Sequence, residues 1–375
     1  MKNCKYCSGE LVPFVYKAIG SRRNSQVVQC GSCGLCQTFQ ETDPEHGKRT
    51  LSSDAGWGNV RHAKGVRLEA QKINLKNLLA TISETSSVLD IGSSRGQFIE
   101  WCQANFPKFT FVGIESDRNI ANTFEKSNIK VIIEKLERID FQKNEKFDFI
   151  FCNHTLEHVD DVNQILDIMS RLLKPNGIIW IDVPNLEGIR DPFVIEEFFI
   201  DKHNYHFESA TLSNILTGKG FQVKLDYSDD LNLVFAVTRN TERNQTPIKA
   251  EVTIKDITDY IEKMTQNRLK LPDIARTIEN KSNVAVYGAG RILDALIRFG
   301  HLKIDNIPIA DRYLWKNASD LGVNIQNPDL INWASFNEVF ILGRSSVPAI
   351  TLWLESKGAK KVTPISAIWS QASEI

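Results

Sequence analysis

Short apolar runs alternate along this chain with stretches whose apolar residues recur at helical spacing, and that alternation predicts strands separated by helices. Residues 60–82 have the helical period and lead into an apolar run at 88–91, a glycine turn, a helix, and a second strand ending at Glu115. A helix over 119–126, a strand over 130–133 and an apolar strand over 146–151 follow, the last with a polar mouth at Cys152, Asn153 and His154. Residues 165–173 return to the helical period, Lys174-Pro-Asn-Gly177 breaks it, and 178–183 is the next strand. Strands alternating with helices in this way predict a doubly wound α/β sheet. Ligands in such sheets lie beyond the carboxyl ends of the strands, which places Asp90, Gly92, Glu115 and the 152–158 loop around one crevice.

The pattern changes at both ends. Residues 11–16 and 26–29 alternate as a hairpin does, too short to bury a core unaided. Residues 240–280 are polar and helical in period, most clearly over 252–268, and a second strand-turn-helix opens at 283–293. Strands at 307–311, 338–342 and 361–365 complete the series. A chain of 375 residues exceeds one ordinary core, so the reading divides it into a ribbon (1–45), a transfer domain with its leading helix (46–240), a helical linker (241–280) and a terminal α/β domain (281–375). Charge is balanced, 45 basic against 46 acidic residues, which argues against a polyanionic partner or a membrane surface. The amino terminus has no apolar signal region and no run approaches the ~20 apolar residues of a membrane span, so a cytoplasmic location is the expectation.

Five of the seven cysteines fall within the first 36 residues. Cys4-Lys-Tyr-Cys7 and Cys30-Gly-Ser-Cys33 are two C-x-x-C knuckles, each able to present two thiolates to one tetrahedral Zn2+. Four thiolates leave no open position, so such a metal folds a module and performs no chemistry. Cys36 is read as a fifth, unliganded thiol.

The turn after the first core strand reads Asp90-Ile-Gly92-Ser-Ser94-Arg-Gly96, not the G-x-G-x-x-G of dinucleotide folds. Glycines at 92 and 96 permit positive φ and close approach of a ligand, and an acid ending the next strand can take a ribose diol. With Phe147-Asp148 through His158 and Leu172-Leu-Lys-Pro-Asn-Gly177, the stretch resembles class I S-adenosylmethionine-dependent methyltransferases. The resemblance implies a Rossmann-like core and a cofactor held by Asp90, Gly92, Ser94, Gly96, Glu115, Asn153 and His154. Glu134 and Leu136 are weak candidates for the adenine, and Glu157 and His158 are read as starting or capping the next helix.

Past the fifth core strand, His203, Tyr205 and His206 can titrate or donate; an imidazole with an ordinary pKa near ~6.5 suits a base that removes an acceptor proton. The other reading makes one histidine a helix cap and packs the other beneath it. In the last domain Gly288-Ala-Gly290 and Asp311 suggest a dinucleotide, but Leu293 occupies the third glycine's place, so a substrate-gripping or scaffolding role is expected. The whole order of parts looks like the three-domain, zinc-containing C-methyltransferases that act on nucleotide-linked deoxysugars. There a histidine forms the enolate; His206 matches it, with Tyr205 where Glu is usual and His203 where Tyr is usual. The resemblance implies a small-molecule nucleotide-sugar or sugar-derived acceptor, no nucleic acid and no membrane, with C-, O- and N-methylation all open. An RNA methyltransferase with a zinc module and a nonenzymatic cofactor-binding protein are the alternatives.

Overall fold

The structure is a computed structural model that describes residues 3–16, 25–39, 66–118, 129–142, 144–195, 198–199, 203–240, 247–315, 323–343 and 346–371. The expected helix at 119–126 lies outside them. Two compact units divide the chain: Met1–Thr50, Gln71–Ile189 and Glu197–Ile257 make the first, and Leu51–Ala70, Arg190–Glu196 and Thr258–Ile375 the second.

In the first unit, β1 (Leu11–Tyr16), β2 (Ser25–Cys30) and β3 (Cys36–Phe39) form an antiparallel meander around the cysteine knuckles. The larger sheet is built from β4 (Ser87–Ile91), β5 (Thr110–Ile114), β6 (Lys130–Ile132), β7 (Phe147–Asn153) and β8 (Leu173–Pro184), all parallel. A two-residue strand, β9 (Tyr205–His206), leaves this domain and adds to β3 as the fourth strand of the ribbon sheet. The ribbon and the transfer domain therefore share a sheet instead of standing as neighbours. Two further strands, β10 (Phe221–Asp226) and β11 (Asn232–Arg239), complete the order β10-β11-β8-β7-β4-β5-β6, with β11 antiparallel to both of its neighbours. Strand order reverses between β4 and β7, which opens the crevice at their carboxyl ends.

Helices cover both faces, as a mostly parallel sheet requires. Helix α1 (Val66–Leu79) precedes β4, and α2 (Gln97–Asn105) follows it, stacking Phe98 on Phe151 with ring centroids 3.7 Å apart. On the other face α3 (Val162–Leu172) buries Ile165, Leu166, Met169 and Leu172 against Ile150 and Ile179. Each such side chain contributes about 1.5–3 kcal/mol of transfer free energy. The Asp161 carboxylate caps α3 by accepting from the Asn163 and Gln164 amides. The helix therefore starts there, and Glu157 and His158 belong to the preceding turn, contrary to the sequence expectation. Helix α4 (Ser209–Gly218) is capped by Glu208, so neither His203 nor His206 is a helix cap.

The second unit is a five-stranded parallel sheet of β12 (Val284–Tyr287), β13 (Ile309–Ala310), β14 (Ile325–Gln326), β15 (Glu338–Ile341) and β16 (Val362–Pro364), ordered β14-β13-β12-β15-β16. Alternate residues face opposite cores. Val284, Val286 and Phe340 pack with α6 (Leu271–Glu279), α7 (Arg291–Arg298) and α9 (Ile365–Gln371), whereas Ala285, Tyr287 and Val339 pack with α8 (Val347–Ser356). Leu271, Ile274 and Ile278 lie in the first of these cores, so 271–279 is part of the domain and not a free linker. Helix α5 (Ile254–Leu269) brings Asn267, which donates to the Pro192 and Val194 carbonyls and accepts from the Trp369 indole. No helix among the described residues is long and apolar enough to cross a membrane.

Candidate active site and cysteine cluster

The turn after β4 has the conformation its glycines permit. Gly92 has φ 72° and Gly96 φ 79°, and Ser94 shares the left-handed region at φ 49°. A Cβ on Gly92 would sit 2.1 Å from Thr155 Oγ1, so only glycine fits beneath the loop that follows β7. Thr155 itself donates to the carbonyls of Ile91 and Asn153, tying the loop to the end of β4.

Glu115 closes the crevice from the end of β5. Its carboxylate accepts from the Ser94 amide at 2.9 Å and the Asp117 amide at 2.8 Å. Each oxygen keeps a further acceptor position, as a ribose diol requires. Burial pushes the Glu115 carboxyl up, against the pull of the Asp117 and Ser94 amides. Asp90 is 1% exposed, and its Oδ2 has no hydrogen-bond partner among the described residues. Burial, and then the nearby Glu115 charge, push its carboxyl well above the usual range. An orphaned buried oxygen beside a glycine cradle fits a polar ligand seated on the turn. Asp90, Gly92, Ser94, Gly96 and Glu115 are thus gathered around one turn. Asn153 ends β7 opposite Asp182. His154 is drawn inward instead: its ring lies 3.2 Å from Glu157 Oε1 and 3.3 Å from Asp182 Oδ1, and it is 7% exposed.

The histidine segment is fixed by backbone bonds to the same loop. The Asn204 and Tyr205 amides both donate to the Glu157 carbonyl, and the Asn204 side chain donates to the carbonyls of His158 and Val159. Tyr205 is buried, and its hydroxyl donates to the Asp160 carbonyl and accepts from the Val162 amide. Those bonds give this phenol a bracing position at the start of α3. His206 places Nε2 2.6 Å from Thr38 Oγ1 of the ribbon strand, while Nδ1 has no partner among the described residues. Burial pushes its pKa down to about 3, so the ring is neutral near pH 7. His203 is half-buried beside His158, ring centroids 4.8 Å apart, and burial followed by the His158 charge holds it well below the ordinary imidazole value. Burial opposes the charge on Glu157, but His158, His154 and His203 around it outweigh that and hold its carboxyl low. Thr38, Thr155 and Glu157 were not singled out as functional from the sequence. Only the Glu157-His158 pair carried a local signal, and Thr38 becomes relevant through a pairing that spans 168 residues.

Cys4, Cys7, Cys30 and Cys33 converge, all four sulfurs lying within 4.8 Å of one another. Cys4 and Cys33 are 3.7 Å apart, Cys7 and Cys30 3.4 Å. A tetrahedron of zinc-thiolate bonds of about 2.3 Å has sulfur-sulfur edges of about 3.8 Å, so the donor set fits. Gln37 donates to Cys4 Sγ, a neutral partner suited to a thiolate. Cys36 is fully buried outside the cluster, its thiol pushed up by burial and the Glu208 charge.

Residues 64–225 match the family described as "Methyltransferase domain". Relatives include (S)-coclaurine N-methyltransferase of Papaver somniferum, 22% identical over 64% of this chain and 66% of that protein. C-methyltransferase NovU of Streptomyces niveus is 23% identical over 74% of this chain and 70% of that protein. A solved S-adenosylmethionine-dependent methyltransferase of Clostridium acetobutylicum aligns with a TM-score of 0.40 at 12% identity, covering 49% of this chain and 99% of that one. With the sheet order and the turn after β4, the match over 64–225 establishes an S-adenosylmethionine-dependent methyltransferase domain of the class I fold.

Proposed function

We propose that this S-adenosylmethionine-dependent methyltransferase acts on a nucleotide-linked sugar or a sugar-derived small molecule, with His206 as the base and a zinc ion in the cysteine cluster. Bound S-adenosylmethionine supplies an electrophilic methyl group, and the chain's own residues hold the cofactor, orient the acceptor and take its proton. Glu115 binds the ribose, and the Gly92 to Gly96 turn admits the cofactor's close approach, with Asp90 beneath it. The observation that supports the acceptor reading is the 2.6 Å contact between Thr38 and His206, which ties the ribbon strand to the histidine segment. A zinc module recruited to grip RNA needs a basic surface, not a strand built into the transfer domain. With the Nε2 proton donated to Thr38, Nδ1 carries the lone pair that accepts a proton from the acceptor.

Incubating the full chain with labelled cofactor and a panel of nucleotide-linked deoxysugars, followed by mass spectrometry, tests the acceptor. One methyl group added to a sugar is expected. Label found only in RNA, or in no acceptor at all, overturns the reading. His206→Asn should lower turnover by about 100-fold or more at unchanged cofactor affinity. Glu115→Ala should weaken cofactor binding about tenfold or more by calorimetry, because two ribose hydroxyls lose their partner. Full affinity in that variant would remove Glu115 from the site.

A further inference from the structure

Beside the crevice, one ligand atom from each of Glu157, His158 and His203 lies within 4.8 Å of the others. Glu157 is 1% exposed, and its Oε2 has no hydrogen-bond partner among the described residues, an expensive state for a buried carboxylate oxygen. We propose that these three side chains bind one divalent transition-metal ion, a site distinct from the cysteine cluster. Two imidazoles and one carboxylate suit Zn2+, Co2+, Fe2+ or Mn2+, and three protein ligands leave coordination positions open.

The support around the triad is that of a preformed site. Backbone bonds from Asn204 and Tyr205 to the Glu157 carbonyl, and from the Asn204 side chain to the His158 carbonyl, fix the two segments that bring the ligands together. His154 Nδ1 lies 3.2 Å from Glu157 Oε1, a second partner that orients the carboxylate as outer groups orient metal ligands. The His158 side chain is 40% exposed, which gives an ion a path from solvent. Thr155, two residues before Glu157, abuts Gly92, so the loop that carries the triad also meets the cofactor turn. The inference does not depend on the acceptor or the base proposed above.

The test is Co2+ titration of the purified full chain, with the metal content of the cysteine cluster measured in parallel and no acceptor present. Saturation by one Co2+ with d–d bands and without intense thiolate-to-cobalt charge transfer is expected. His158→Ala, the variant least able to disturb packing, should weaken that binding at least tenfold, as should Glu157→Gln and His203→Ala. S-adenosylhomocysteine binding reports that each variant is folded. His301→Ala, at an exposed histidine of the second unit, should change nothing. Absence of nitrogen- and oxygen-ligated Co2+, or unchanged affinity in His158→Ala, overturns the proposal, and neither outcome bears on methyl transfer.

Discussion

Asp148 shows what one surface-edge carboxylate does for the transfer domain. Its Oδ2 accepts from the Ser87 amide at 2.8 Å and the Ser87 hydroxyl at 2.9 Å, and lies 2.7 Å from Lys174 Nζ. It thereby clamps the first residue of β4 against β7 and β8. Burial alone would raise its pKa, but the Lys174 ammonium and the Ser87 donors outweigh that and lower it. A lowered folded-state pKa means stability that is full above the unfolded value of about 3.9 and lost as pH falls through the folded value. Asp148→Asn should cost about 1–2 kcal/mol at pH 7, after allowance for solvent screening of a partly exposed pair. Denaturant titrations should show the gap to the unsubstituted chain closing below about pH 4. A gap that is constant with pH would mean that shape, not charge, sets the contribution.

At the scale of elements, the ribbon owes its place to two residues of another domain, with which β3 pairs. Cys4→Ser removes one of the four converging thiolates, and a module of this size has too little apolar surface to fold without its metal. The zinc carried by the cysteine cluster should be lost, and turnover should fall with it because β3 no longer seats His206. S-adenosylhomocysteine binding at the β4 turn should persist. A metal-free Cys4→Ser chain with full activity would contradict this linkage. The cysteine knuckles and the Asp90 to Gly96 turn were legible in the sequence because each places its chemistry within a few residues. β9 was not, since two residues have no period and become a strand only through Cys36 and Gln37. The β10-β11 pair was unread for another reason. Leu233 to Val237 are all buried, and an unbroken apolar run does not distinguish strand from helix. Glu157 and His158 looked like a helix start because the true cap, Asp161, follows so closely.

Across the whole molecule, one device recurs. In the first unit an acid beyond β5 braces the turn after β4; in the second, Asp311 beyond β13 accepts from the Ala289 amide in the turn after β12. Asp311 also accepts from the Tyr313 and Leu314 amides, so its carboxylate is committed to three backbone donors. Leu293, where a dinucleotide fingerprint would have glycine, is fully buried in the core beneath α7. Gly288-Ala-Gly290 and the acid that follows thus form a braced turn like the one after β4. Asp311→Ala should destabilise the second unit by about 1–3 kcal/mol in calorimetric unfolding, with cofactor affinity unchanged. Loss of cofactor binding in that variant would show that the first unit depends on the second.

The strand shared by β3 and β9 also sets an order of assembly. The four clustered cysteines lie within one short stretch, yet the partner of Thr38 follows it 168 residues later along the chain. Until His206 has been synthesised, the outer edge of β3 has no strand to pair with. The histidine segment and the ribbon can therefore take their final form only together.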